Sequence, residues 1–548
     1  MTGLVDRRIG LLFLLFLILL GLACGRAAWL GTVRAGELKE RAVGQQVEDL
    51  EVSARRGTIT DRRGLELAVS EDAVTVFANP FLIKDPSGTA TKLAPLVKVD
   101  REELLDTLSD KDKGFVYLRR KLDSDKGDKV EELGIEGIGT MVEPRRTYPQ
   151  GELAGQLIGT VGTDNYGLSG VEHQFEDRLH GKDGHRRLVK DATGETVSFV
   201  ETDRAESGED IRLTIDATLQ ERVEAVMADV GANYQPEGAT AVVMDPRNGE
   251  LLALANWPRV DANNPGGAPA EARVNRAVMS SFEPGSTFKP FTVAGAIEEK
   301  LIRPDSTLEV PQEIQVADRT IGEDHEGGAG TLTVADILAR SSNVGSVMIG
   351  LDLGPVRFDK WVRRFGFGQP TGLSLPGEAS GIVPHPEDYS GASLGNMPIG
   401  QGLAVTPMQM VAAYSGLANG GVMHKPHVIA GEHDDGQRVV SETTAHEVSK
   451  MLEGVLGAGG TAQEASVPGY HLAGKTGTAE KPDPETGGYS EFKFFSSFIG
   501  FAPAKDPRLM IGVMVDEPKG GYYGAEVAAP AFERIVEFAL PYMRIPPD

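Results

Sequence analysis

Ser286 and Lys289 stand three residues apart in Glu283-Pro284-Gly285-Ser286-Thr287-Phe288-Lys289. Side chains at i and i+3 share one helix face, and the preceding Pro-Gly predicts a helix beginning at Ser286, so hydroxyl and amine would project into one pocket. An unassisted serine is a poor nucleophile. A lysine removed from water loses part of its preference for the charged form and can act as the adjacent base. The helix N-terminus adds a backbone donor aimed at a reacting carbonyl. The same spacing recurs at Ser490 and Lys493, but that stretch follows a Gly-Gly turn and reads as a strand, where residues three apart face opposite sides. Ser490 is therefore read as structural.

Two further stretches carry complementary chemistry. In Ser341-Ser342-Asn343, between a helical run and another helix, Ser341 can relay a proton to a leaving group and the Asn343 amide can pair with a substrate amide. Taken alone, the tripeptide is better read as a serine-rich helix cap. In Lys475-Thr476-Gly477-Thr478, Lys475 and Thr476 can receive a carboxylate, Gly477 marks a close backbone approach, and the Thr478 N–H can supply a second oxyanion donor. A peptide can then lie along this strand as an added one.

The elements that must position these residues are legible in outline. At 548 residues the chain exceeds one hydrophobic core, and 40% hydrophobic residues predicts folded domains rather than disorder. A net charge of -25 and pI near 4.9 exclude sustained binding to nucleic acid, which needs a concentrated basic face. The single cysteine, Cys24, lies in an apolar stretch, so all that follows has neither disulfides nor thiolate metal sites. From Ile9 to Gly25 no charge interrupts the apolar run, and Ala27-Ala28-Trp29-Leu30 extends it if Arg26 snorkels. Arg7 and Arg8 ahead of the run favour a cytoplasmic N-terminus with the bulk of the chain outside the cytoplasmic membrane. A retained anchor is favoured over a cleaved signal peptide or a lipoprotein signal at Cys24. Residues 31–50 are consistent with a helix leaving the membrane, Asp61-Arg62-Arg63-Gly64 reads as a turn between β-like runs, and Pro246-Arg247-Asn248-Gly249 reads as a hairpin turn. Strands, then helices, then strands predict an α+β domain with an antiparallel sheet flanked by helices. Glu323, Asp324 and Glu326 around His325 lack a second histidine at ligand spacing and read as a solvated loop; Asp483, Glu485 and Glu491 have the wrong spacing for a calcium loop.

Together, Ser-x-x-Lys, Ser-x-Asn and Lys-Thr-Gly are the motif set shared by β-lactamases and penicillin-binding proteins. The surrounding Asn275–Phe291 resembles the nucleophile region of class B penicillin-binding proteins. Arg56-Gly57 with Asp61-Arg62 and Gly64, and Arg146-Thr147-Tyr148-Pro149 followed by Gly167–Glu172, resemble that family's pedestal elements; Gly400–Met410 and Tyr522–Phe532 resemble later stretches of its transpeptidase domain. The likeness covers most of residues 55–535, and Val116–Leu122 makes it most similar to septal, cell-division members. It implies a cytoplasmic tail (1–8), a transmembrane anchor (9–30), a pedestal (31–205) and a transpeptidase domain (206–548). It also implies a D,D-transpeptidase in which Ser286 attacks D-Ala-D-Ala of a peptidoglycan stem peptide and the acyl group passes to a neighbouring stem-peptide amine. Lys289 would be the base, Ser341 and Lys475 the proton relay, Ser286 and Thr478 N–H the oxyanion donors, and Asn343, Thr476, Gly477 and Thr478 the substrate contacts. β-Lactams would acylate the same serine, with no metal or organic cofactor. A SEDS-family glycan polymerase is the implied partner. A soluble β-lactamase would need no pedestal, an antibiotic sensor would carry several spans, a D,D-carboxypeptidase would hydrolyse the acyl-enzyme, and a class A protein would add a glycosyltransferase domain.

Overall fold

In the computed structural model, which describes residues 2–34, 36, 47–190, 196–324, 327–483 and 488–548, the apolar N-terminus forms one helix, α1 (Thr2–Thr32). Its segment Arg7–Thr32 has 26 residues and a mean hydropathy of 2.4 in its most apolar stretch. At 1.5 Å per residue that is about 39 Å, enough to cross a hydrocarbon layer of about 30 Å. The helix passes through Arg26 without a break, and the Arg26 and Arg34 guanidinium groups lie 5.9 and 5.0 Å from the Trp29 ring. The helix expected over 31–50 is not continuous: α1 ends at Thr32, the alternating Val47–Val52 is a strand, and 37–46 lie outside the described residues.

The chain divides into two compact units that interleave in sequence. The first comprises Met1–Arg56, Glu71–Arg145 and His180–Gly208. Here β1 (Val47–Val52), β5 (Gly184–Lys190) and β6 (Thr196–Asp203) make an antiparallel sheet. The later residues of β2 (Glu66–Ala78) pair with β3 (Val116–Leu122) and β4 (Ile138–Thr147). Helices α2 (Pro86–Val97) and α3 (Arg101–Ser109), capped by Asp85 and Asp100, bury Leu93, Val97, Leu104 and Leu108 against Val76 and Leu118.

The second unit comprises Gly57–Ser70, Arg146–Leu179 and Glu209–Asp548. Its early stretches pack with the residues after 209. The Asp61–Gly64 turn joins Ile59–Thr60 to β2 in antiparallel register, with Asp61 Oδ1 accepting from the N–H groups of Arg63 and Leu65 at 2.8 Å each. Asp61 Oδ2 accepts from Ala217 N (3.1 Å), and Asp216 caps the same helix, α4 (Ala217–Tyr234). The strands β7 (Gly238–Met244) and β8 (Leu251–Trp257) form the hairpin predicted from Pro246–Gly249. They join β11 (Ala473–Asp483), β12 (Gly488–Ala502) and β13 (Leu509–Asp516) in one antiparallel sheet of order β8-β7-β13-β12-β11.

Every residue of β7, and of β13 from Leu509 to Val515, is buried, so helices cover both faces. α4 and α8 (Ala529–Tyr542) pack on the sheet and on each other, and the wholly buried α7 (Pro407–Ala418) also packs on it. α5 (Lys289–Glu298) and α6 (Asn343–Arg364, kinked at Gly354) pack together, and the turn Gly285–Phe288 ahead of α5 packs on β11. The lysine-bearing strand is thus an edge strand with one side open to an extended ligand.

One buried ion pair holds the early stretch of this unit together: Arg146 Nε donates to Glu172 Oε1 at 2.6 Å, with side chains 3% and 0% exposed. Glu172→Ala strands the guanidinium without its counter-charge. It is expected to destabilise the fold by about 3–5 kcal/mol, read from urea unfolding of the purified chain.

Candidate active site

Ser286 sits on a tight turn. Gly285 takes φ +54, a left-handed conformation natural to glycine, and its N–H donates to Gly400 O at 3.1 Å. Gly285–Phe288 then forms a 3₁₀ turn and α5 begins at Lys289 rather than at Ser286. The same-face expectation survives this difference, because residues three apart eclipse in a 3₁₀ turn. Thr287 O accepts from the buried Tyr414 hydroxyl (2.6 Å), and Phe288 packs against Phe291, Phe358 and Phe367, which fixes the turn from below. Glu283 ties it from the side by accepting from Gly402 N (3.1 Å) and the Tyr489 hydroxyl (3.0 Å).

Ser286 is half-buried and opens into a cleft of about 430 Å³ shared with Ser341, Asn343, Thr476 and Thr478. Lys289 and Lys475 lie beneath it, both 0% exposed. Lys289 Nζ donates to Ser341 O (2.6 Å) and Asn343 Oδ1 (2.7 Å) and lies 3.2 Å from Ser341 Oγ. Burial lowers its ammonium pKa to about 8, against the opposing pull of Asp324 and Glu323. About a tenth of the amine is then neutral at pH 7. The carbonyl and amide oxygens can only accept, so a neutral Lys289 keeps those bonds and has a lone pair left for a hydroxyl proton. Among the described residues the Ser286 hydroxyl has no hydrogen bond; the apo geometry holds Lys289 toward Ser341 and Asn343.

Burial and the neighbouring Lys289 charge hold the Lys475 ammonium well below the usual lysine range. Among the described residues its Nζ reaches only the oxygens of Thr476, at 3.3 and 3.4 Å. Burial thus works against the charged form of both amines.

Ser341 occupies the left-handed region at φ +60, immediately after the helix Val334–Ala339. A glycine is usual at such a helix end, and a serine there costs about 1–2 kcal/mol. The conformation turns both Ser341 oxygens toward Lys289. Ser342 faces the other way and caps α6 by accepting from Gly345 N (3.0 Å). One serine of this tripeptide lines the cleft and the next is a helix cap.

Gly477 faces the nucleophile turn. A Cβ there would stand 2.5 Å from Ser497 Oγ and 2.8 Å from Thr287 Cγ2, so the close approach inferred from sequence is real. Thr476 bonds Thr461 Oγ1 (2.8 Å), and Thr478 Oγ1 accepts from Gly524 N (2.9 Å). All eight residues singled out in the three motifs converge on this cleft or its floor.

Ser490 lies in β12, its hydroxyl accepting from Phe492 N and Lys493 N, while Lys493 pairs with Glu517. Two features were missed. Tyr489, Phe494, Tyr522 and Tyr523 give the cleft an aromatic wall, with Phe494 stacked on Tyr522 at 4.3 Å; the paired tyrosines were the available signal. Glu323 is half-buried and, with the exposed Asp324, hydrogen-bonds the Ser341–Asn343 turn, which a freely solvated loop would not do, while His325 and Glu326 lie outside the described residues, as does Glu485. Among the described residues no group of ligating side chains suits a metal ion.

A half-buried serine over two dehydrated lysines at a sheet edge defines a serine acyltransferase. The penicillin binding protein transpeptidase domain family matches residues 239–537, and the penicillin-binding protein dimerisation domain family matches residues 51–213. Peptidoglycan D,D-transpeptidase FtsI of Escherichia coli K12 is 34% identical over 99% of this chain and 93% of its own length. Stage V sporulation protein D of Bacillus subtilis 168 is also 34% identical, over 97% and 86%. The crystal structure of penicillin binding protein 3 from Mycobacterium tuberculosis with aztreonam superposes with a TM-score of 0.71 at 30% identity, covering 91% of this chain and 98% of that one. The chain belongs to the class B penicillin-binding proteins.

The packing at Gly477 supplies a test. Gly477→Ala is expected to slow acylation of Ser286 by a β-lactam and to cost about 1–3 kcal/mol of stability through overpacking. Stopped-flow acylation and urea unfolding of the same preparation read both effects.

Proposed function

We propose that this chain cross-links peptidoglycan as a D,D-transpeptidase through an ester on Ser286, and that β-lactams acylate the same oxygen. The observation that carries this reading is the dehydrated Lys289, its pKa lowered to about 8, beneath a serine that faces an open edge strand. Ser286 Oγ attacks the carbonyl carbon of the penultimate D-alanine as Lys289 Nζ takes its proton. The oxyanion is held by the N–H groups of Ser286 and Thr478. The peptide C–N bond then breaks, and the departing D-alanine nitrogen receives the proton by way of Ser341 Oγ, 3.2 Å from Lys289 Nζ, and the Lys475 amine. The amine of a second stem peptide attacks the ester carbonyl and gives up a proton by the reverse route; the ester C–O bond breaks, and Ser286 Oγ takes the proton back from Lys289 Nζ.

The donor peptide extends β11 as an added strand, with Asn343 pairing to its amide, Thr476 and Lys475 receiving its terminal carboxylate, and Gly477 giving it room. No metal or organic cofactor enters these steps. By sequence, residues 31–205 form the pedestal and 206–548 the transpeptidase domain, with Gly57–Ser70 and Arg146–Leu179 of the former packing in the catalytic unit. α1 anchors the chain in the cytoplasmic membrane with 1–8 inside and the catalytic unit outside, and a SEDS-family glycan polymerase is the partner.

Intact mass and peptide mapping after exposure to a fluorescent penicillin test the reading. The expected result is a long-lived adduct on Ser286, absent from Ser286→Ala, and release of D-alanine from a stem-peptide donor only when an amine acceptor yields a cross-linked product. An adduct on another residue would refute the nucleophile. Donor hydrolysis that outruns transfer at saturating acceptor would mean a carboxypeptidase.

A further inference from the structure

Two carboxylates follow β10 (Arg319–Gly322), the second strand of the hairpin it makes with β9 (Glu313–Val316), and neither belongs to the three motifs. The Glu323 carboxylate sits at the N-terminus of α6. Its Oε1 accepts from the Ser342 hydroxyl (2.6 Å) and Val344 N (2.9 Å), and its Oε2 from Asn343 N (3.0 Å). Two of the unpaired N–H groups that open a helix are thereby satisfied by an anion, where the helix dipole favours one. The Ser342 hydroxyl is fixed at the same time, donating to Glu323 while accepting from Gly345 N.

Asp324 completes the arrangement. It accepts from Asn343 Nδ2 at 2.8 Å, and Gly322 O accepts from the same nitrogen at 3.3 Å. A carboxylate and a carbonyl can only accept, so the amide nitrogen must face them and Oδ1 must face Lys289. With Ser342 drawn outward and Asn343 oriented, Ser341 is left in its φ +60 conformation, both oxygens toward Lys289.

We propose that Glu323 is a positioning residue for acyl transfer: it holds Ser341-Ser342-Asn343 in the turn that aims Ser341 and Asn343 at Lys289, and it supplies part of the negative field at that amine. The inference rests on the transpeptidase reading above. The titratable groups facing Lys289 are Glu323 and Asp324 from the loop after β10 and Lys475 from β11. Glu323 favours the ammonium form, so removing its charge must lower the pH at which the base becomes available.

The test is the rate of acylation of the full chain in detergent by a fluorescent penicillin between pH 6 and 9.5. The wild-type rate should rise to a plateau with a midpoint near pH 8, where Lys289 loses its proton. For Glu323→Gln the plateau should fall at least tenfold and the midpoint should move to lower pH. Glu323→Asp, which keeps the charge on a shorter arm, should restore the midpoint and part of the plateau. Glu313→Gln, exposed on the same hairpin, should match wild type. A Glu323→Gln plateau within twofold of wild type and an unmoved midpoint would overturn the inference. A lower plateau with an unmoved midpoint and a matching loss of melting temperature would also overturn it, by marking a merely structural residue. If wild type forms no Ser286 adduct, the transpeptidase reading fails and takes the inference with it; if wild type is acylated and Glu323→Gln matches it in plateau and midpoint, the inference alone fails.

Discussion

Removing an ammonium group from water is the constraint around which this active site is built. A fully buried lysine either finds acceptors or gives up its proton, and Lys289 is held between the two. Its acceptors, Ser341 O and Asn343 Oδ1, come from a turn more than fifty positions away in sequence. That turn keeps a serine in a conformation better suited to glycine, which demands firm anchoring at both ends. The preceding helix provides one anchor through Ser341 N to Leu338 O and Ser342 N to Ile337 O, and the Glu323 carboxylate provides the other. Each catalytic position thus depends on a partner from a different element.

The sheet supplies the remaining constraint. Burial of β7 and β13 on both faces gives a rigid frame, and its last strand, β11, meets the nucleophile turn at Gly477. A side chain at that position would push the strand away from Ser286. The single cysteine lies in the N-terminal helix, so neither unit is braced by a disulfide and packing alone must hold these contacts. The outer edge of β11 stays open, which suits a ligand whose backbone has the hydrogen-bonding pattern of a strand.

Much of this is legible in the sequence where the controlling interactions are local. The Asp61–Gly64 and Pro246–Gly249 turns declare themselves by residue type, the apolar run from Ile9 by length, and the three motifs by side-chain chemistry. Ser490 and Lys493 could be set aside because a strand separates residues three apart. What escapes is set at long range. Whether the Ser286 turn opens as 3₁₀ or α is a matter of one residue and depends on how Phe288 and Tyr414 pack beneath it. Glu323 and Asp324 look like loop charges until the fold brings α6 against them. The interleaving of the two units, with Gly57–Ser70 and Arg146–Leu179 in the catalytic one, leaves no local mark.

The central claim is that dehydration holds the Lys289 ammonium near the threshold of losing its proton. Lysine labelled with ¹³C at Cε, with the resonance assigned by its absence from Lys289→Arg, allows that one amine to be titrated by NMR. The account predicts a midpoint near 8. A midpoint at the ordinary lysine value, about 10.4, would contradict it and leave Ser286 without the base on which the site depends.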